Sequence, residues 1–280
     1  MRLYVCGVRG STSAPGIEFV GVGGHTSCVA LAHDGEAPQL ALDAGTGLRL
    51  LSTVLDGAPF RGTILLGHLH WDHTEGLPFF AAGDRSDAVV RVLVPEQPGA
   101  AIGLIERTMA PPNFPITPGR LNGAWSFDHL TEGRHEIEGF EVVAREIPHK
   151  GGRTFGYRIT DRCGRSVAYL SDHAPQSLGA GPDGLGALHP AAVELATDVD
   201  LLIHDAQFTV DEFATRDLHG HSAAPYAAEL AEHAGARRVL LYHHDPNRTD
   251  DQVAAIAADV RRRHPSTTIE VATEGSVIDL

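Results

Sequence analysis

The stretch His68-Leu69-His70-Trp71-Asp72-His73 follows directly on the apolar run Thr63-Ile64-Leu65-Leu66. In an extended chain alternate side chains project from the same face, so His68 and His70 lie on one side. Asp72 and His73 fall where the strand gives way to a loop and can turn toward the same region. Three imidazoles and a carboxylate this close together are costly to bury unless a partner such as a divalent cation binds them. The stretch therefore predicts a metal site, and more than four ligand atoms indicate two cations.

Length and composition lie within the normal range for a globular enzyme. The chain has 280 residues, of which 42% are hydrophobic and 21% charged, so one domain spanning residues 1–280 is expected to bury a large core. No segment approaches the roughly 20 apolar residues of a membrane helix. The first residues, 1–7, are typical of a strand running into a glycine turn rather than of a signal peptide. Three widely spaced cysteines argue against a disulfide framework and favour a cytoplasmic protein.

The charge balance is acidic, with a formal net charge of −14 from 36 acidic and 22 basic residues. Proteins that hold a long nucleic-acid backbone usually present a basic face. A large nucleic-acid partner is therefore not expected. The chain also contains 17 histidines, several of which stand at the ends of apolar runs.

Strand-like and helix-like segments alternate along the chain. Strands are predicted at 2–6, 27–32, 38–43, 63–66, 89–94, 140–147, 154–160, 166–170, 201–204, 239–242 and 268–272. Helices are predicted at 190–196, 222–233 and 251–264, with Ser222 as the N-cap of the second and Gly235 at its end, and a further helix-like piece begins at residue 98. This pattern predicts a compact α/β fold with sheets in the middle and helices outside.

A proline-dense segment interrupts the first half at residues 109–118. It cannot be regular helix or central strand, because proline lacks the backbone donor that both require. Two interpretations remain open: a wall or lid over a pocket, or a plain surface loop.

Further metal-capable side chains follow other predicted strands. His149 comes after the strand at 140–147, Asp172 after the strand at 166–170, and His243 and His244 after the strand at 239–242. In α/β folds, ligands bind outside the carboxyl ends of strands. We therefore expect these side chains to converge on the histidine-rich stretch.

These residues together resemble a known family. The His-x-His-x-Asp-His pattern, followed in order by His149, Asp172 and His243, is similar to that of the metallo-β-lactamase-fold hydrolases. More narrowly it resembles their phosphodiesterase branch: ribonuclease Z, phosphoribosyl cyclic phosphodiesterase and class II cyclic-nucleotide phosphodiesterases. Supporting segments are 42–45, 169–172, 202–206 and 220–222. The resemblance implies a four-layer αββα sandwich with a dinuclear site at one edge.

The resemblance also implies a ligand set. One metal would bind His68, His70 and His149; the other would bind Asp72, His73 and His243; Asp172 would bridge them. Nitrogen and carboxylate ligands suit Zn²⁺, with Mn²⁺ or Fe as alternatives. Two such cations would hold a hydroxide that attacks phosphorus. His244 stays open as the alternative to His243.

Asp72 and His221 are the candidate catalytic residues. In the family, the position of His221 contacts the substrate phosphate and can act as a general acid; the alternative is a histidine in a capping loop without chemistry. Asp43 and Asp205 are interpreted as acceptors that orient ligand histidines. Trp71 is expected to pack the ligand loop against the core.

The expected reaction is hydrolysis of a small phosphodiester, a cyclic nucleotide or a cyclic sugar phosphate. Ribonuclease Z holds transfer RNA with a protruding arm and a basic surface, and the chain shows neither a long Gly/Lys arm nor a basic balance. Two alternatives remain: a lactone, β-lactam or thioester hydrolase on the same fold, and a non-catalytic metal-binding accessory protein. A homodimer is expected from the resemblance alone.

Overall fold

The computed structural model describes residues 1–280, apart from the side chain of residue 217. Its fourteen strands are β1 (Arg2–Gly7), β2 (Cys28–Ala32), β3 (Leu40–Leu42), β4 (Arg61–Leu65), β5 (Val89–Pro95), β6 (Ala124–Leu130), β7 (Gly133–Ile137), β8 (Phe140–Glu146), β9 (Phe155–Thr160), β10 (Ser166–Leu170), β11 (Leu201–Asp205), β12 (Arg238–Tyr242), β13 (Thr268–Val271) and β14 (Val277–Asp279). The α-helices are α1 (Leu48–Val54), α2 (Ala101–Glu106), α3 (Pro190–Ala196), α4 (Val210–Arg216), α5 (Ala224–Ala234) and α6 (Asp250–Arg263).

The strands form two mixed sheets of seven strands each. The first has the order β14-β1-β2-β3-β4-β5-β6 and the second the order β13-β12-β11-β10-β9-β8-β7. Strands β3 to β6 run parallel, as do β10 to β13, while the remaining neighbours are antiparallel. Parallel neighbours bring their carboxyl ends to the same edge of a sheet, where loops can meet.

The two sheets pack face to face and helices cover both outer faces. Strand β10 shows how, because Val167 and Tyr169 face the core between the sheets whereas Ala168 and Leu170 face α3 and α5. In the first sheet, helices α1 and α2 cover the outer face. Strands with two buried faces read as continuous apolar runs, which is why the sequence revealed them. The predicted four-layer αββα arrangement is confirmed.

Several helices and strands of the structure were not predicted from the sequence. Strands β6, β7 and β14 and helices α1 and α4 had not been predicted. The hairpin between β7 and β8 turns at Glu138 and Gly139, both with positive φ (50° and 74°), the geometry of a two-residue hairpin turn. Glutamate is an unusual residue for the first of these positions, so the local sequence did not signal the hairpin.

The predicted N-cap of α5 was wrong. The N-cap is Ala223, and the helix begins at Ala224 without a side-chain cap. Ser222 is instead buried, and its hydroxyl donates a hydrogen bond to the carbonyl of His173 at 2.8 Å. In the described part of the chain, no helix has both the length and the apolar character needed to span a bilayer.

Candidate metal centre

All seven predicted ligands lie together where the carboxyl ends of strands from the two sheets meet. The histidine-rich stretch follows β4 of the first sheet, whereas the other three ligands follow strands of the second sheet. His149 follows β8, Asp172 follows β10, and His243 follows β12. The expected convergence of separate strand ends is therefore present in the structure.

The first group of side chains comprises His68, His70, His149 and Asp172, and their ligand atoms all lie within 4.8 Å of one another. His149 Nε2 is 3.3 Å from His70 Nδ1. Asp172 Oδ2 is 3.5 Å from His149 Nε2 and 3.7 Å from His68 Nε2. These nitrogens therefore surround one point beside a carboxylate oxygen.

The second group comprises Asp72, His73 and His243, which are all buried. Asp72 Oδ2 lies 3.2 Å from both His73 Nε2 and His243 Nε2. The other oxygen of Asp172, Oδ1, lies 3.0 Å from His73 Nε2 and 3.2 Å from His243 Nε2. Asp172 thus presents one oxygen to each group, which is the arrangement that a bridging carboxylate requires.

The polar atoms of this cluster fit a metal centre. Among the described residues, buried side-chain atoms without a hydrogen-bond partner include both ring nitrogens of His68, Nε2 of His73 and Oδ1 of Asp172. Buried polar atoms left unpaired are rare, because each costs roughly 1–3 kcal/mol. Imidazole nitrogens and carboxylate oxygens are common ligands of Zn²⁺ and related cations. Binding of divalent cations would satisfy these atoms.

The electrostatics of the two groups differ. Burial lowers the pKa of His149 to about 4, so that ring is held neutral. At His243 burial also disfavours the charged ring, but Asp172 and Asp72 outweigh it and raise the pKa to about 9. Burial likewise opposes ionisation of Asp72, yet His73 and His243 hold the pKa of its carboxyl below the usual value. The second group is therefore the point where the carboxylates attract positive charge most strongly.

Asp43 anchors the second group from behind. It is fully buried at the end of β3, with a positive φ of 62°. Its Oδ2 lies 2.7 Å from His73 Nδ1 and accepts hydrogen bonds from the hydroxyls of Tyr169 and Ser171, while its Oδ1 accepts from the amide of Gly67 at 2.6 Å. This network fixes the ring of His73 and leaves Nε2 facing the cluster, as the sequence interpretation of Asp43 expected.

Asp205 has a different partner from the one expected. It is buried at the end of β11, and its Oδ2 lies 3.0 Å from Nδ1 of His221 rather than from a predicted ligand. It also accepts backbone hydrogen bonds from His173 and Gln207. His221 stacks on the ring of His243 at 5.0 Å, and its Nδ1 is 3.7 Å from Asp172 Oδ2. Asp205 therefore holds His221 at the margin of the metal cluster.

The structure separates His243 from His244. His243 adopts the left-handed conformation (φ 57°), which costs a non-glycine residue on the order of 1 kcal/mol and turns its ring into the cluster. His244 Nε2 lies 3.3 Å from the carbonyl of Ala272, outside the candidate ligand groups. Burial lowers the pKa of His244 to about 3. The geometry therefore places His243, not His244, among the candidate ligands.

Two further residues change the description of the site. The backbone amide of Ser11 donates to Asp72 Oδ2 at 2.7 Å, a contact that the sequence analysis missed because only acidic and histidine side chains were considered at strand ends. The expectation for Trp71 was wrong, because its side chain is 71% exposed. The short 3-10 turn Trp71–His73 buries Asp72 and His73 and leaves the indole outside.

Comparison with known proteins identifies the family. The model of the Beta-lactamase superfamily domain matches residues 40–244, a span that contains β3 to β12 and every predicted ligand. The chain belongs to this superfamily.

Individual proteins similar to this chain support the same family assignment. A ribonuclease Z from Salinibacter ruber is 29% identical over 262 residues, covering 78% of this chain and 79% of the relative. The metallo-β-lactamase fold protein YhfI from Bacillus subtilis superposes with a TM-score of 0.73 at 17% identity, covering 99% of both chains. A diphosphatase of the PhnP family gives a TM-score of 0.68 at 17% identity, covering 100% of this chain and 97% of the other.

The resemblance stated from the sequence, including the metallo-β-lactamase fold, is confirmed by these findings. The protein is a metal-dependent hydrolase. Family membership and the grouped His and Asp side chains together imply divalent metal ions.

Proposed function

We propose that the protein is a dinuclear phosphodiesterase that hydrolyses a small phosphodiester, a cyclic nucleotide or a cyclic sugar phosphate. The observation that carries the proposal is that the two carboxylate oxygens of Asp172 face different ligand groups. Oδ1 lies within 3.2 Å of His73 and His243. Oδ2 lies within 3.7 Å of His68 and His149. In this proposal His68, His70 and His149 hold one cation, Asp72, His73 and His243 hold the other, and residues 1–280 act as one hydrolase domain.

The bound cations, Zn²⁺ in our proposal, would neutralise charge on the phosphate and make an attacking water more acidic. The chain's own residues supply the rest. His221 lies at the opening of the site with Nδ1 held by Asp205, which leaves Nε2 to donate to an oxygen of the substrate. We propose that His221 binds the phosphate and protonates the leaving oxygen. Asp72, at the same opening, is proposed to accept a hydrogen bond from the attacking water.

The opening over the cluster suits a small substrate. It has a volume of about 320 Å³ and is lined by Ser11, Leu69, His70, Trp71, Asp72, Asp172 and His221. This lies at the lower end of the range for small-molecule sites. The net charge of −14 disfavours extended contact with a polyanion, and the resemblance in fold to a diphosphatase is consistent with a small phosphate ester.

A second candidate function is cleavage of RNA. The curated relative from Salinibacter ruber is a ribonuclease Z, and the similarity spans 78% of this chain. Both candidates use the same phosphodiester chemistry and differ in what lies beyond the scissile phosphate. They are therefore separated by substrate size rather than by loss of a catalytic residue.

The decisive experiment combines metal analysis with a substrate panel. We expect about two equivalents of bound metal, and hydrolysis of bis-p-nitrophenyl phosphate and of 2′,3′- or 3′,5′-cyclic nucleotides. Chelator should abolish the activity, and Zn²⁺ or Mn²⁺ should restore it. A precursor transfer RNA with a 3′ extension, present at the same concentration, tests the second candidate. Faster cleavage of that RNA than of any small diester would refute the proposed substrate class.

Two variants test the assigned roles. Asp172→Asn should lower activity more than about 100-fold and reduce metal content at both positions. His221→Gln should retain the metal but lose most phosphodiesterase activity, because the imidazole no longer serves the leaving oxygen. Val277→Ala, on the edge strand β14, is the control and should match the wild type. A lactone, β-lactam or thioester activity that survives His221→Gln would favour a hydrolase of one of those bonds over a phosphodiesterase. Inactivity on all substrates despite full metal loading would favour a non-catalytic metal-binding accessory protein. The expected homodimer and cytoplasmic location stay predictions.

A further inference from the structure

An apolar groove lies immediately beside the opening of the metal site. Its volume is about 440 Å³, and Trp71 lines both the groove and the opening. The opposite wall is formed by the proline-dense segment, which contributes Met109 and Phe114. Of the two interpretations left open by the sequence, the structure favours a pocket wall for this segment.

The groove presents unusual aromatic surface to solvent. The side chain of Trp71 is 71% exposed and that of Phe79 is 58% exposed. Phe79 meets Phe114 edge to face, with ring centroids 5.8 Å apart. Exposed aromatic rings of this size are costly in water, and several in one concave surface mark a ligand-binding groove.

Polar groups are placed among these rings. Glu75 is partly buried and accepts a hydrogen bond from Thr26, and Asn113 donates its side-chain amide to the carbonyl of Arg107. Arg107 is exposed at the edge of the groove. Each of these side chains still has polar atoms that can bond to a heterocycle with ring nitrogens and exocyclic groups, whereas a purely aliphatic occupant offers them no further partner.

Position relative to the metal ligands defines which part of the substrate can reach the groove. Trp71 stands between the candidate ligands His70 and Asp72 in the chain, so its Cα is about 3.8 Å from each of theirs. Trp71 also lines the opening together with Asp172 and His221, so a ring stacked on the indole and a phosphate held at the opening can belong to one nucleotide. Base–aromatic stacking tolerates any base, because every base has a π face.

We propose that this groove binds the nucleobase of the phosphodiester whose phosphate is hydrolysed at the metal centre. The inference rests on the proposed function and narrows its substrate to a nucleotide rather than a cyclic sugar phosphate. Trp71 is the stacking surface, Phe79 and Phe114 form the far wall, and Arg107 and Glu75 are the polar contacts to the edge of the base.

The kinetic test uses two substrates that differ only in the base: adenosine 2′,3′-cyclic phosphate and methyl β-ribofuranoside 2′,3′-cyclic phosphate. We expect the wild type to prefer the nucleotide in kcat/KM, mainly through KM, by about 10-fold. Trp71→Ala should lower kcat/KM for the nucleotide about 10-fold more than it lowers kcat/KM for the methyl riboside, so that the preference disappears. Trp71→Phe should retain most of it, and Val277→Ala should retain all of it. Equal kcat/KM for the two substrates in the wild type would overturn the inference while leaving the proposed function intact.

A binding measurement keeps the groove testable even if turnover fails. The chain has two tryptophans, Trp71 and Trp125, so stacking on Trp71 should quench a large share of the emission. We expect adenosine monophosphate to quench the wild type and ribose 5-phosphate not to, and we expect Trp71→Phe to lose the quench. No quench by the nucleotide would refute the groove assignment. If a single-stranded hexaribonucleotide quenches the emission at a far lower concentration than the mononucleotide does, the groove binds an RNA strand and the proposal of a small nucleotide is overturned.

Discussion

Gly10 packs against the ring of His243, and this contact gives a sharp test of the metal centre. A Cβ added at Gly10 would lie 2.3 Å from both Cε1 and Nδ1 of that ring. An ordinary contact needs about 3.5 Å, so the ring would have to move by about 1 Å. The backbone cannot yield easily, because the amide of Gly10 donates to the carbonyl of His244 and the amide of Ser11 donates to Asp72.

We therefore expect Gly10→Ala to displace His243 and weaken the second ligand group. Metal ligands must be held within about 0.5 Å of their working geometry, and disturbing their supports typically costs about 10–100-fold in metal affinity. Titration of the apo protein with Zn²⁺ against a chromophoric chelator should show one site at wild-type affinity and one weakened by this factor. Hydrolysis of bis-p-nitrophenyl phosphate should fall by a similar factor.

The matched control is Gly103→Ala in α2. An added Cβ there meets nothing within 4 Å, and alanine suits a helix better than glycine. This variant should bind both metals like the wild type. If Gly10→Ala also binds two metals at wild-type affinity, then His243 is not held as a ligand by this contact and the assignment of the second group is refuted.

Three other predictions concern the supports of the site and the stability of the protein. Asp43→Asn should reduce metal affinity by about 10–100-fold in the same titration. The reason is that the amide cannot accept all the hydrogen bonds that the carboxylate accepts from His73 and its neighbours. Unchanged affinity would contradict this role of Asp43. Burial opposes the charge on Glu212, but Arg248 and the amide of Thr209 lower its pKa to about 2. The ion pair between Glu212 and Arg248 therefore stabilises the fold above the unfolded pKa near 4.5, and this stabilisation is lost as the pH falls toward 2. Glu212→Gln should therefore lower the free energy of unfolding by about 1 kcal/mol at pH 7, after allowance for solvent screening. Urea unfolding should show the difference between variant and wild type narrowing below about pH 4.5. A difference that does not depend on pH would exclude the ion pair as its cause. Finally, Zn²⁺ at about 100 times its dissociation constant should stabilise the apo protein by about 2.7 kcal/mol for each occupied site. This corresponds to a rise in Tm of roughly 5–10 °C per site by calorimetry, and no rise would argue against a built metal site.

The strand ends that carry the site could be predicted from the sequence because two independent patterns coincide there. Strands β4 and β10 are buried on both faces and therefore read as apolar runs, and each is followed by side chains that are expensive to bury without a metal. His68 and Asp172 mark these two ends. Neither pattern depends on knowing the tertiary structure, so both could be read in advance.

The backbone conformation at the site could not be predicted from the sequence. Asp43 and His243 both have positive φ, and alternation along a strand does not predict where such residues point. Trp71 was misplaced for a related reason, since the 3-10 turn uses its neighbours Asp72 and His73 as the inward-facing residues. These conformations are fixed by contacts between distant segments, and no local residue pattern specifies them.

The strained residues also explain how one edge of the molecule can hold two ligand groups. Asp43 follows β3 in the first sheet and His243 follows β12 in the second, so a residue with positive φ lies on each side of the interface between the sheets. Asp43 turns its carboxylate toward His73, and His243 turns its ring toward Asp72. Each conformation costs on the order of 1 kcal/mol, which persists only if the surrounding contacts offset it. Because both turns direct side chains to the same group, packing of the two sheets and the geometry of the second ligand group are coupled, and a change at either turn should be detected first as altered metal affinity.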